Sequence, residues 1–162
     1  MRKLSLTSFL FCACILVAQI ASAEDGYEMW LRYQPVSDNT VLKQYRQHIN
    51  QLVVEGESPT LSAAVHELQQ GIEGLLNVKL DAGKKLARKG SGSLVIGTPA
   101  NSSLIASLKL DDALAPLGDE GFLIRHATVN KRKALVIAAN SDIGVLYGAF
   151  HLLRMMDRAE SC

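Results

Sequence analysis

The 162-residue sequence has almost no excess of either charge. Its 17 Lys and Arg face 16 Asp and Glu, for a formal net charge of +1. A nucleic-acid module held by phosphate contacts would need a clear basic surplus, so that class is excluded. Cysteine is scarce as well. Three residues, Cys12, Cys14 and Cys162, are too few for a disulfide scaffold. Aromatic residues make up 6% and are dispersed. The one local group is Tyr27, Trp30 and Tyr33, and strand alternation puts Trp30 on the opposite face from the two tyrosines. That is not a stacking platform for sugar rings. What is abundant is aliphatic: 48% of residues are hydrophobic against 20% charged, the balance of a folded domain rather than a disordered chain.

The longest apolar run lies at the start. Arg2 and Lys3 precede an uncharged stretch from Leu4 to Ile20, and Ala21-Ser22-Ala23 follows with small residues at the two positions signal peptidase reads. This pattern predicts a cleavable signal peptide over 1–23 and a secreted or periplasmic product. Removing it leaves 139 residues with 15 basic and 16 acidic side chains, a charge of −1. Cys12 and Cys14 leave with the signal, so the remaining Cys162 has no partner within the mature chain.

Beyond residue 23 the pattern alternates between periods. Tyr27, Met29, Leu31 and Tyr33 recur every second residue, which predicts a strand ended by Pro35. Val41, Leu42, Tyr45 and Ile49 have helical spacing within 38–50, and QLVVE at 51–55 reads as a short strand. Ser58-Pro59 is a helix start, a capping hydroxyl followed by Pro where its missing N–H costs nothing. Leu61, Val65, Leu68, Ile72 and Leu75 then form one apolar face, with a break near Gly74 and Asn77. Residues 79–92 read as a solvated loop.

The unbroken apolar run SLVIG at 93–97 predicts a strand covered on both faces. Thr98-Pro99 predicts a helix through Leu104, Ile105 and Leu108, and 113–118 a loop or short turn. GFLIRHATV at 121–129 and KALVIAA at 133–139 flank Asn130-Lys131-Arg132, which predicts a tight hairpin. Asn140, Ser141 or Asp142 then caps a last helix carrying Ile143, Leu146, Tyr147, Phe150 and Leu153. The order β α β α β α β β α predicts an α/β (α+β) sandwich with helices on a mixed sheet.

Chemical motifs are mostly excluded by spacing. His66-Glu67 would need a second His at 70 to grip zinc, and that residue is Gln70; an exposed helix face is the simpler reading. Gly90, Gly92 and Gly97 precede a strand rather than joining a strand to a helix, so they are not a dinucleotide loop. Gly90-Ser91-Gly92-Ser93 lacks the spacing of a nucleophile elbow. The pairs Asp111-Asp112 and Asp119-Glu120 are sequence neighbours, whereas glycoside hydrolysis needs two carboxylates across a cleft.

His48, His126 and His151 are scattered, and His126 reads as a structural strand residue. Lys131, Arg132 and Lys133 read as a solvated hairpin tip. Asn101-Ser102-Ser103 is a glycosylation sequon, meaningful in a eukaryotic secretory path. Gly144 and Gly148, four apart on the last helix, point to close internal packing, because mid-helix glycine otherwise costs about 1 kcal/mol. No catalytic, cofactor-binding or metal-ligating residue emerges.

A family resemblance goes further. EDGYEMWLRYQPV at 24–36, SPTLSAAVHELQQGIEGLL at 58–76, SLVIGTPANSSLIASL at 93–108 and LGDEGFLIRHATVNKRKALVIAANSDIGVLYGAFHLLRMM at 117–156 resemble the N-terminal domain of family 67 glycoside hydrolases, the xylan α-glucuronidases. The stretches fall in family order over nearly the whole of 24–156, the last being the most specific. The resemblance implies an α/β sandwich similar to the second domain of β-hexosaminidases, placed before a catalytic (β/α)8 barrel and a helical domain that makes dimer contacts.

It also implies an inverting enzyme, without a metal, that removes α-1,2-linked 4-O-methyl-glucuronic acid from the end xylose of xylooligosaccharides. The family's catalytic carboxylates belong to the barrel, so none is carried over to this sequence, and 157–162 is expected to be the start of the link to it. The partner implied is that barrel in the same polypeptide, with xylooligosaccharide contact as a further expectation. Against this stands an expectation from another class, a stand-alone secreted carbohydrate-binding or protein-interaction module, or an inactive remnant.

Overall fold

The structure, a computed structural model, describes residues 33–87 and 92–158. The signal segment, Cys162, Gly90 and all of the first expected strand except Tyr33 and Gln34 lie outside the described residues; those two residues are not in a strand. The chain runs α1 (Asn39–His48), β1 (Gln51–Val54), α2 (Pro59–Leu76), β2 (Ala82–Gly83), β3 (Ser93–Gly97), α3 (Ser103–Ala106), α4 (Asp111–Leu114), a 3-10 turn (Ala115–Leu117), β4 (Phe122–Val129), β5 (Arg132–Ala139) and α5 (Asp142–Arg158). The five strands form one mixed sheet in the order β2-β1-β3-β5-β4. All neighbours are parallel except β4 and β5, which pair antiparallel as a hairpin. This is the α/β sandwich with a mixed sheet that the element order predicts.

The sheet is covered on both faces. Leu52, Leu94, Ile96, Ile137 and Ala139 point to one side, where Leu61, Leu68, Ile72 and Leu75 of α2 and Val145, Ala149, Leu152 and Leu153 of α5 close over them. Val53, Val95, Val136 and Ala138 point to the other, where Leu104, Ile105, Leu110 and Leu114 of the short α3–α4 segment pack. Both sets alternate along the same strands, so the central strands read as continuous apolar runs. Full burial of each Val, Leu or Ile among them contributes about 1.5–3 kcal/mol.

Local signals explain most element ends. Asp38 accepts from the Thr40 and Val41 amides at 2.7 and 3.2 Å and starts α1. Those amide bonds hold its carboxyl below the ordinary value, Val41 contributing most. Ser58 Oγ accepts from the Leu61 amide at 3.0 Å, with Pro59 in the first turn. α2 passes through Gly74 and ends at Asn77, which takes a left-handed conformation with φ 51°. Arg46 Nε donates to the Leu76 carbonyl at 2.7 Å, putting a cation on the negative end of α2.

Three expectations need correction. Thr98-Pro99 does not begin a helix. The Asn101 side chain accepts from the Thr98 amide at 2.8 Å, and the Asn101 amide donates to Thr98 Oγ1 at 3.2 Å. That reciprocal pair folds 98–101 into a turn, and α3 starts later, capped by Ser102. Residues 79–92 are not all loop, because Ala82–Gly83 add a parallel edge strand to β1 and Leu80 is buried. The loop-or-turn segment 113–118 overlaps the helical turns α4 and Ala115–Leu117.

The last helix follows expectation. Ser141 Oγ accepts from the Gly144 amide at 3.3 Å, so Ser141 is the cap among the three candidates. Gly144 and Gly148 face the sheet. A Cβ on Gly144 would lie 2.6 Å from the Gly121 carbonyl oxygen, and one on Gly148 would lie 2.5 Å from Ile137 Cγ2. Among the described residues no helix is long and apolar enough to cross a membrane.

Candidate functional site

The parallel strands β1, β3 and β5 deliver their carboxyl ends to one edge of the sheet, where loops of α/β folds commonly carry polar function. Glu55 follows β1 there. Its Oε2 accepts from Ser102 Oγ at 2.7 Å and from the Leu104 amide at 2.9 Å, and its Oε1 accepts from Ser103 Oγ at 2.9 Å. Burial pushes the Glu55 carboxyl up, but the Leu104 amide and the two hydroxyls outweigh it and hold the carboxyl below its ordinary value. Next to it, Asn101 Nδ2 donates to Asp142 Oδ1 at 2.7 Å, and Asn140 Nδ2 donates to the carbonyls of Leu114 and Gly118 at 2.7 and 2.9 Å. This network satisfies the Leu104 amide in the first turn of α3, and ties the end of β1 to α3 and the loop after β3 to the start of α5. The carboxylate is ionised and fully engaged, which suits a structural clamp and not a proton-transfer group.

The second constellation lies at the opposite edge. The β4–β5 register sets His126 across from Leu135 and Thr128 across from Lys133, so these four side chains share one sheet face. The end of α1 brings Gln47 and His48 beside them. The His48 and His126 rings meet edge to face, with centroids 5.7 Å apart and planes at 62°. Together with Gly92, Ala127 and Ala134 they line an open groove of about 800 Å3. Gly92 is what lets the walls approach. It has φ 103°, and a Cβ there would sit 2.4 Å from the Gln47 carbonyl oxygen. Its own carbonyl accepts from the Asn50 amide at 2.8 Å.

The residues singled out by sequence disperse otherwise. His66 is exposed on α2, whereas Glu67 is buried, at 9% exposure, so the pair is not wholly the exposed face expected. Asp111, Asp112, Asp119 and Glu120 are all exposed, the first two in the opening turn of α4, where carboxylates favour the helix start. His151 is exposed on α5, tilted against the Phe122 ring at 5.3 Å. Lys131 and Lys133 are exposed and Arg132 is half-buried. His126 is on β4, as the strand pattern expects, and is exposed at the groove.

The convergence of His48 and His126, 78 positions apart, left no sequence signal. Glu55 left a faint one, a carboxylate directly after a short apolar strand. Among the described residues no group of three or more His, Cys, Asp or Glu gathers as metal ligands would.

The architecture has counterparts among known proteins. A solved family GH115 4-O-methyl-alpha-glucuronidase, with specificity for decorated arabinogalactans, superposes with a TM-score of 0.51 over 67% of this chain and 13% of its own, at 20% identity. At that identity the likeness is one of fold. The family model of the glycosyl hydrolase family 67 N-terminus matches residues 29–152, and the chain belongs to that family. It is 32% identical over 146 residues to a probable alpha-glucuronidase A of Aspergillus clavatus, and 29% identical over 142 residues to alpha-glucuronidase A of Aspergillus tubingensis. The matches cover 88% and 87% of this chain, while the chain spans 16% of the length of each relative.

Proposed function

We propose that this chain is the non-catalytic N-terminal domain of a secreted xylan α-1,2-glucuronidase. In this reading residues 1–23 direct export, 24–156 form the domain, and a (β/α)8 barrel in the same polypeptide releases 4-O-methyl-glucuronic acid from xylooligosaccharides. The observation that carries it is the match over 29–152 to a family N-terminus, together with alpha-glucuronidase relatives of which the chain spans 16%. At the strand ends the carboxylates Glu55 and Asp142 are both engaged in hydrogen bonds within the domain, Glu55 in three and Asp142 with Asn101, which fits a supporting role in this reading. Ile143 and Tyr147, one turn apart on α5, and Met155 two turns further on are exposed at 41%, 41% and 49%, apolar surface of the kind a packed neighbouring domain covers.

The test is an immunoblot of native culture fractions with an antibody against residues 24–162, combined with intact mass. The expected band is several times the size of a 139-residue product and co-fractionates with release of 4-O-methyl-glucuronic acid. The purified chain alone is expected to release none. A single band at the small size, or substantial release by the chain alone, overturns this reading. A second reading, a stand-alone carbohydrate-binding module, is favoured by the groove at His48 and His126.

A further inference from the structure

We propose that the groove between the end of α1 and the far end of the β4–β5 hairpin binds a uronic acid, with Lys133, His48 and His126 facing its carboxylate and Gln47 and Thr128 its hydroxyls. The volume of about 800 Å3 fits the class of small-ligand clefts, which run from about 300 to 1,000 Å3. Among the described residues, the ionisable groups lining the groove are an ammonium and two imidazoles, with no Asp or Glu. An ammonium and two imidazoles, all able to donate N–H bonds, gathered in a concave surface favour an anion that accepts them. The neutral polar groups, the Gln47 amide and the Thr128 hydroxyl, both donate and accept. The remaining lining is low, formed by Leu135 and by the backbone at Gly92, Ala127 and Ala134, whose alanine methyls turn to the other face of the sheet, which leaves room for the C–H face of a ring.

Several observations favour a carboxylate over a phosphate. Phosphate sites draw on Arg forks or helix N-termini, whereas the helix end at this groove is the C-terminus of α1. That end carries partial negative charge, which opposes a doubly charged anion more than a singly charged one and suits the donating hydroxyls of a sugar. The groove is also built rather than incidental. Cross-strand register aligns its four hairpin side chains, and Gly92 takes a conformation in which no other residue would clear the Gln47 carbonyl. That the carboxylate is carried by a sugar rests on the glucuronidase reading above; that the groove prefers a carboxylate rests on its own lining.

The experiment titrates the isotope-labelled chain with sodium glucuronate, sodium acetate, xylose and inorganic phosphate, following backbone amide shifts. Glucuronate is expected to move the amides of Gly92, Thr128, Ala134 and Leu135 saturably. Acetate should move the same amides more weakly, and xylose should leave them unchanged. Lys133→Gln and, separately, His48→Gln are expected to weaken glucuronate binding about tenfold while the rest of the amide spectrum stays in place. No shift at the groove with glucuronate, or unchanged affinity in both variants, overturns the proposal. Phosphate moving these amides as strongly as glucuronate overturns the assignment to a sugar acid. Release of 4-O-methyl-glucuronic acid by the native fractions is read separately, so failure of that activity and failure of groove binding are told apart.

Discussion

Asn101 Nδ2 donates to Asp142 Oδ1 at 2.7 Å across 41 residues, tying the loop after β3 to the first residue of α5. The same Asn101 side chain accepts from the Thr98 amide, so the sequon asparagine is committed at both ends of its amide. Asn101→Asp replaces the donor with a second carboxylate facing Asp142 and is expected to cost about 1–3 kcal/mol. Asp142→Asn on that background reverses the polarity of the bond and should recover at least half of the loss. A double-mutant cycle by urea unfolding checks this; additive losses would mean that the two side chains do not interact.

Glu55 makes stability depend on pH in a defined direction. Its carboxyl is held below its ordinary value of 4.5, so its contribution is fully present above that pH and is lost as pH falls through the lower folded value. Glu55→Gln keeps one acceptor oxygen, replaces the other by an NH2 donor that cannot accept, and removes the charge, and is expected to cost about 1–3 kcal/mol at neutral pH. The gap between wild type and variant should close on acidification below 4.5. Denaturation midpoints at a series of pH values decide the matter, and a gap constant with pH would contradict it.

The two glycines on the sheet side of α5 should respond unequally to alanine. A Cβ on Gly144 would meet the backbone carbonyls of Gly121 and Asp119 at 2.6 and 3.1 Å, which cannot yield without moving chain. On Gly148 the nearest atom is the methyl Ile137 Cγ2 at 2.5 Å, on a buried β-branched side chain that must shift, but no backbone atom stands that close. Gly144→Ala is expected to destabilise by about 1–3 kcal/mol despite better helix propensity, and Gly148→Ala by less. Gly83→Ala, where nothing lies within 4 Å, should stay within about 0.5 kcal/mol of wild type. Thermal unfolding of the three variants ranks them.

The hairpin turn holds a removable strain. Asn130 and Lys131 have φ of 48° and 64°, the paired positive values of a type I′ turn. Asparagine tolerates that region and lysine does not. Lys131→Gly is expected to stabilise the chain by up to about 1 kcal/mol, and Lys131→Val to destabilise it by a similar amount. Chemical denaturation of the pair provides the check. Equal midpoints would mean that the turn bears no strain.

The sequence by itself determined whatever is encoded within a few neighbouring residues. Ser58-Pro59 started α2, SLVIG formed a doubly covered strand, and Asn130-Lys131 closed the hairpin within a residue of its expected position. Capping, apolar periodicity and positive φ are local energies, legible without a fold. The family likewise was legible from stretches in order along the chain.

Only the tertiary structure decided the rest. Thr98-Pro99 has the chemistry of a helix start, but Asn101 bonded back to Thr98, and Glu55 supplied from β1 the acceptor that let α3 begin at Ser103. Ala82–Gly83 became a strand because β1 offered an unpaired edge. His48 and His126 meet because the β4–β5 register and the tight passage at Gly92 bring the hairpin against the end of α1. These partners are separated by tens of residues. No short window contains both, so their pairing energy exists only once the sheet order is fixed.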